Sequence, residues 1–215
     1  MNDDISVRVL FESDEILAVD KPAGVVSVAQ AGQGGLPELV GRVYPGRLLP
    51  VHRLDKEVSG VILFAMTASA HRYLNGEFEK RNVRKTYLAV CHGVIAKNRG
   101  VINAPIREFG SGRMGVDRER GKPASTEFKV VERRNCFTVL HAYPLTGRRH
   151  QIRVHLFSIG HPVVGDRKYG DREVQKEFPR LMLHALSIEF TPPSGGRLTI
   201  EAPPPDWGSP RRRDR

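Results

Sequence analysis

Four short stretches of this chain gather residues whose types and spacing could do chemistry. Val51-His-Arg-Leu-Asp-Lys-Glu-Val-Ser-Gly60 places a carboxylate, Asp55, two residues after Arg53 and just ahead of an apolar run that starts at Val61. A carboxylate at the end of a core strand has rigid support and can open into a cleft, where it could serve as nucleophile or base. On spacing alone, a turn aspartate before a Ser-Gly turn accounts for it better. Thr146-Gly-Arg-Arg-His-Gln-Ile-Arg-Val-His155 holds three arginines and two histidines at the opening of a predicted helix. Such a cluster could grip phosphates or pair with a carboxylate. Ile152, Val154 and Leu156 interleave with those charges, so the helix must be partly buried and Arg153 needs a partner.

Lys85-Thr86-Tyr87 puts an aromatic ring at the start of a predicted strand, where it could fill the core or stack on a base. Taken by itself, core packing is the simpler account. Gly110-Ser-Gly112-Arg-Met-Gly115 matches the dinucleotide pattern GxGxxG, but residues 116–122 are charged and open no helix toward a pyrophosphate. A glycine-rich hairpin loop fits better. Its Arg107, Arg113, Arg118, Arg120 and Lys122 outnumber Glu108, Asp117 and Glu119, which suits contact with RNA.

The elements that must position these stretches are mostly strands. Apolar alternation or compact apolar runs predict them near residues 7–11, 16–19, 61–66, 85–91, 126–131, 137–143, 181–190 and 198–201. Lys21-Pro22-Ala23-Gly24 reads as the turn that stops the second of these. Helices are predicted over 37–44, with Pro37 in the first turn, over 68–81, and over 150–159, ended by Gly160. Thr67 caps the second of these, and Ala70, Tyr73, Leu74 and Phe78 form its apolar face. Helices do not alternate with strands. The pattern therefore predicts a mixed α+β fold, a largely antiparallel sheet with helices packed on it, in one domain.

Composition narrows the partner. Lys and Arg number 34 against 24 acidic residues in 215, a net charge of +10, which favours a polyanion through counterion release. Part of the excess lies in Arg211, Arg212, Arg213 and Arg215, a basic tail expected to be disordered. No apolar run approaches the roughly 20 residues of a membrane helix, and the acidic start is unlike a signal peptide, so a cytoplasmic protein is expected. Cys91 and Cys136 make no disulfide framework, and the histidines lack metal-ligand spacing, so a metal enzyme is not expected.

Taken together, these stretches resemble the RluA-type pseudouridine synthases. The resemblance rests on His52-Arg53-Leu54-Asp55 with Ser59-Gly60, on Lys85-Thr86-Tyr87, and on the run from Thr146 to His155. Lys21-Pro22-Ala23-Gly24, Gly121-Lys122-Pro123-Ala124, Gly160-His161-Pro162, Gly165-Asp166, Tyr169-Gly170 and Leu183-His184-Ala185 continue it in order, from about Ile5 to Pro205. Val58 stands where the family usually has Thr, and the small RNA-binding domain that many relatives carry ahead of the catalytic one is not expected here.

The resemblance implies a single catalytic domain over 1–205 on a curved, mostly antiparallel sheet with flanking helices, followed by the tail 206–215. It implies isomerisation of uridine to pseudouridine in transfer or large-subunit ribosomal RNA by a monomer, without cofactor or membrane. Asp55 resembles the essential aspartate, Tyr87 the aromatic against the target base, and Arg153 the cation that pairs with the aspartate. Arg53 resembles the residue that helps displace the target, and Ile152 the apolar lining of the pocket. Arg148 and His52, within the same motifs, are further substrate-binding candidates. The rival from another class is a non-catalytic RNA-binding or chaperone protein on the same scaffold. Asp55, Tyr87 and Arg153 occurring together argue against it.

Overall fold

The computed structural model describes residues 7–28, 35–42, 44, 46–110 and 112–207; the basic tail therefore lies outside the described residues. In chain order the first elements are β1 (Arg8–Glu12), β2 (Ile16–Lys21), α1 (Leu36–Gly41), β3 (Leu49–Pro50), β4 (Ser59–Ala65), α2 (Ala68–Glu79) and β5 (Arg84–His92). Next come β6 (Arg99–Asn103), β7 (Ile106–Glu108), β8 (Met114–Val116), β9 (Ser125–Arg134) and β10 (Phe137–Pro144). The chain then forms α3 (Gln151–Ser158), α4 (Arg172–Lys176), β11 (Leu183–Phe190) and β12 (Leu198–Glu201). The fold is mixed α+β with few helices, and no helix among the described residues is long and apolar enough to cross a membrane. Two compact units share the chain: Met1–Lys85 with Ala185–Pro204, and Thr86–His184 with Pro205–Arg215.

In the first unit the strand order is β1-β2-β4-β11, with β3 beside β4 and β12 beside β11. The pairs β1–β2, β2–β4, β3–β4 and β11–β12 are antiparallel. The central strands β2 and β4 read as near-continuous apolar runs because both their faces are covered, and every residue of β4 is buried. On one face Ile16, Ala18, Val61, Leu63 and Ala65 pack with Ala70 and Leu74 of α2. Thr67 caps that helix through the Ala70 N–H at 3.1 Å. The helix stops at Glu79, two residues before the sequence-based boundary, because Arg81 turns left-handed (φ 62°). The Arg81 and Asn82 N–H groups then bond back to the Phe78 and Glu77 carbonyls, a Schellman closure. Tyr73 does not join the apolar face as expected; it is 37% exposed.

In the second unit β5, β10, β9 and β6 lie side by side, each neighbouring pair antiparallel. Residues Tyr87, Ala142, Phe128 and Gly100 stand opposite one another across these four strands and share a face. Strands β7 and β8 form a separate antiparallel hairpin around the glycine-rich sequence, as expected, and no helix opens there among the described residues. Ile106 and Met114 of the hairpin pack with Val154 of α3 and with Tyr169 in a small core of their own.

Candidate active site

The Asp55 loop runs between β3 and β4 and is bound on both sides of the carboxylate. The Ser27 hydroxyl, buried, accepts the Leu54 N–H at 3.0 Å and donates to the Leu54 carbonyl at 2.7 Å. The Lys56 carbonyl accepts the Gly24 N–H at 2.8 Å and the Lys21 Nζ at 3.1 Å. Between them, the Asp55 carbonyl accepts the Val58 N–H at 3.1 Å, closing the turn that leads into β4. Three successive peptides are thus held, so Asp55 is partly buried on a fixed backbone.

Lys21 explains why the preceding turn has its shape. It is the last residue of β2 rather than part of the turn, and it is fully buried. Its ammonium donates to the carbonyls of Pro22 (2.9 Å), Val25 (2.7 Å) and Lys56 (3.1 Å). Three fixed acceptors match the three N–H donors of a lysine and tie residues 22–25 to the Asp55 loop. Gly24, at φ 88°, supplies the left-handed turn that aims its N–H at Lys56.

His52, three residues before Asp55, is held from two sides. Its Nε2 accepts the Leu63 N–H at 3.0 Å, and its ring stacks on Phe78 with centroids 5.0 Å apart. A nitrogen that accepts a backbone N–H carries no proton, and burial, aided by the positive charge of Lys85, pushes the imidazole down to about 3. His52 is therefore neutral at ordinary pH, with its proton on Nδ1. Arg53, next to it, is exposed. At the entry to β4, Gly60 (φ 113°) lies so close to the Ala185 backbone that any Cβ would collide with it.

In the second unit Arg153 is almost fully buried on α3, and its partner there is Asp166. The pair is two-pronged: Nε to Oδ2 at 2.7 Å and Nη2 to Oδ1 at 2.8 Å. Asp166 Oδ1 also accepts the N–H groups of Lys168 and Tyr169, so the carboxylate that fixes the guanidinium is itself fixed. The Tyr169 ring lies 5.2 Å from the Arg153 Cζ, a cation–π contact. The tyrosine hydroxyl accepts the Met114 N–H at 3.2 Å and meets His150 Nδ1 at 2.6 Å.

A chain of buried polar groups sets where α3 begins. His155 Nε2 faces the Ala104 carbonyl at 2.9 Å and must donate to it, so Nδ1 accepts the Thr126 hydroxyl proton at 2.8 Å. Burial lowers the His155 pKa, which agrees with a neutral ring. Thr126 in turn accepts from Gln151 Nε2, and Gln151 Oε1 accepts the Thr146 hydroxyl and the Arg148 N–H. His150, at φ 54°, makes the left-handed entry into the helix. Arg148 reaches the Pro123 carbonyl at 3.2 Å, and Ile152 is buried. Tyr87, in β5, is partly buried, which neither a pure core residue nor an exposed one would be.

The structure therefore places His52, Arg53 and Asp55 on one loop of the first unit. It places Tyr87, Arg148, Ile152 and Arg153 in the second. Sequence reasoning identified that Arg153 needs a partner, and within this unit Asp166, which it did not single out for that role, is one. It missed Lys21 as an anchor, Ser27 altogether, and the Thr126–Gln151–His155 chain. A lysine one residue beyond Asp20, at the end of the strand-like run that begins Ile16-Leu-Ala-Val19, was the available signal for the first.

The sequence model of the family described as RNA pseudouridylate synthase matches residues 15–158, about two thirds of the chain. The chain belongs to that family. Among pseudouridine synthases it is 38% identical over 202 residues to the dual-specificity RNA pseudouridine synthase RluA of Escherichia coli strain K12, covering 91% of this chain and 92% of that protein. It is also 38% identical to the ribosomal large subunit pseudouridine synthase D of Nitrosomonas europaea, over 94% of this chain but only 63% of that longer protein. Among solved structures, human RNA pseudouridylate synthase domain containing 1 superposes with a TM-score of 0.81 at 30% identity, covering 92% of this chain and 83% of that one. Human RNA pseudouridylate synthase domain containing 4 gives 0.77 at 25% identity, covering 92% and 88%. For a pseudouridine synthase, the matched span contains the clamped Asp55 loop, Tyr87 and Arg153.

Proposed function

We propose that this protein isomerises a uridine in structured RNA to pseudouridine, with Asp55 as the reacting carboxylate. The observation that carries the proposal is the Asp55 loop, in which Leu54, Asp55 and Lys56 are each hydrogen-bonded so that one carboxylate is presented from a fixed backbone. The reaction breaks the bond from the sugar to the uracil nitrogen, turns the base, and rejoins it through a ring carbon. Atoms and oxidation state are unchanged, so the chemistry calls for no cofactor. A carboxylate suffices, attacking the sugar or removing its 2′ proton.

The remaining residues take roles that their chemistry allows. Tyr87 offers a ring face to the base, Ile152 an apolar lining, and Arg153 a guanidinium held in orientation by Asp166. Arg53, exposed beside the loop, and Arg148 hold the RNA, and His52 orients the loop. Reaching the base requires taking it out of its stack, which costs a few kcal/mol and favours loops over regular helices. The substrate is transfer RNA or large-subunit ribosomal RNA: the net charge of +10 suits a polyanion, and the name of one relative specifies the ribosomal large subunit. The enzyme acts in the cytoplasm as a monomer, with residues 1–205 as the catalytic part. Mapping pseudouridines in RNA from cells with and without the protein tests this: a site present only with it supports the proposal, and identical maps refute it.

A further inference from the structure

The β7–β8 hairpin carries an arginine whose surroundings differ from those of its neighbours. Arg107 pairs with Asp117 at 3.2 Å, and Arg149 takes Glu108 at 2.7 Å. The nearby carboxylates are thereby engaged. Arg113 is exposed, and among the described residues no acceptor binds its guanidinium. Two rings back it instead: the Cζ lies 5.4 Å from the centroid of Tyr169 and 5.7 Å from that of Phe157, a side chain that is itself 43% exposed.

The backbone on both sides of Arg113 is also pinned. The Gly112 carbonyl accepts Lys168 Nζ at 3.3 Å, and the Met114 N–H donates to the Tyr169 hydroxyl at 3.2 Å. An exposed guanidinium supported by aromatic rings is oriented before any ligand arrives, so little rotamer entropy remains to be lost on binding. A planar cation of this kind matches the face of an unpaired nucleobase and the charge of the adjoining phosphate.

We propose that Arg113 is a preformed platform on which a base of the substrate RNA outside the reacting uridine stacks. The Tyr169 ring that supports Arg113 also lies against Arg153, so the platform and the candidate site residue share one buried anchor. The inference rests on the RNA-modifying function proposed above and assigns part of its substrate recognition.

The test compares Arg113→Lys, which keeps the charge but loses the plane, with Arg113→Ala. Binding of a mixed-sequence single-stranded RNA oligonucleotide is measured over a range of salt concentrations. Stacking predicts that Arg113→Lys weakens affinity by about fivefold or more while the slope of log affinity against log salt stays at the wild-type value. Arg113→Ala weakens it further and flattens the slope by about 0.7, the loss of one phosphate contact. A fully blunt RNA duplex of the same length should bind wild type and Arg113→Lys alike. Wild-type affinity in Arg113→Lys for the single strand overturns the stacking platform, leaving charge alone, and wild-type affinity in Arg113→Ala overturns the contact itself. Pseudouridine formation by the wild-type protein on unmodified transfer and ribosomal RNA is measured in parallel. Its absence refutes the enzyme reading without bearing on whether Arg113 stacks.

Discussion

The Ser27 hydroxyl bonds both ends of a single residue, accepting from the Leu54 N–H and donating to the Leu54 carbonyl. One buried oxygen thus satisfies two backbone groups that would otherwise point into the core, and it does so one residue before the proposed catalytic carboxylate. Lys21 and Gly24 do the same for the Lys56 carbonyl, one residue after it.

Ser27→Ala should therefore cost both stability and turnover. Two buried groups lose their partner, worth about 2 kcal/mol together. A small displacement of Asp55 should lower kcat by about tenfold to a hundredfold, with KM for RNA little changed. Ser27→Thr, which keeps the hydroxyl, should recover most of the rate. Thermal unfolding with initial-rate kinetics on the three proteins checks this, and equal rates would show that the clamp does not position the carboxylate.

The buried Arg153–Asp166 pair should behave asymmetrically on mutation. Asp166→Ala leaves a buried guanidinium without its bidentate partner and should destabilise by about 3–5 kcal/mol. Replacing both residues by apolar ones of similar size should regain most of that stability while the protein stays inactive. Denaturant unfolding of the single and double variants gives the answer; a double variant as unstable as the single would mean that the pair is not the main source of the loss.

Much of this fold is legible from local pattern, and the exceptions have physical causes. β12 coincides with the expected strand at 198–201 because its flanks, Gly195-Gly196 and Pro203, punctuate it clearly. β6 lies where the local pattern predicts no strand, and it contains Gly100, a residue that weakens strands. In the structure the Phe128 ring lies over that glycine, and a Cβ would meet the ring at 2.8 Å. α4 is only five residues long and held by the Asp171 cap, too short to show a helical period. Within the candidate site, Asp55, Tyr87 and Arg153 were readable as motif residues. Ser27 was not, because its partner lies 27 residues away in the chain and nothing in a single sequence marks a tertiary hydrogen bond.

His52 gives a pH signature. Its folded pKa, pushed down to about 3 by burial and then by Lys85, lies below the roughly 6.5 of an unfolded histidine. Between those values the unfolded chain binds a proton that the native protein does not, so stability rises with pH. The contribution is complete above about pH 6.5 and is lost as pH falls toward 3. Urea midpoints at a series of acidic pH values should fall more steeply for wild type than for His52→Gln, and parallel curves would contradict this assignment.

Tyr87 distinguishes a base-facing ring from a core ring. Tyr87→Phe should retain much of the turnover, whereas Tyr87→Ala should lose most of it, since a ring face against a base is worth about 1–3 kcal/mol. Rates at saturating RNA, on proteins of matched folding, decide the matter. Wild-type turnover in Tyr87→Ala would make the residue part of the scaffold only.

The central claim is that Asp55 performs the reaction, and Asp55→Asn tests it most directly. The amide is nearly isosteric but can neither attack as a carboxylate nor take up a proton well. Folding is to be established by unfolding, RNA affinity by equilibrium binding, and product by counting pseudouridine in an unmodified RNA substrate. The account predicts a folded protein that still binds RNA and forms no detectable pseudouridine. A folded Asp55→Asn protein that isomerises uridine at the wild-type rate would contradict it.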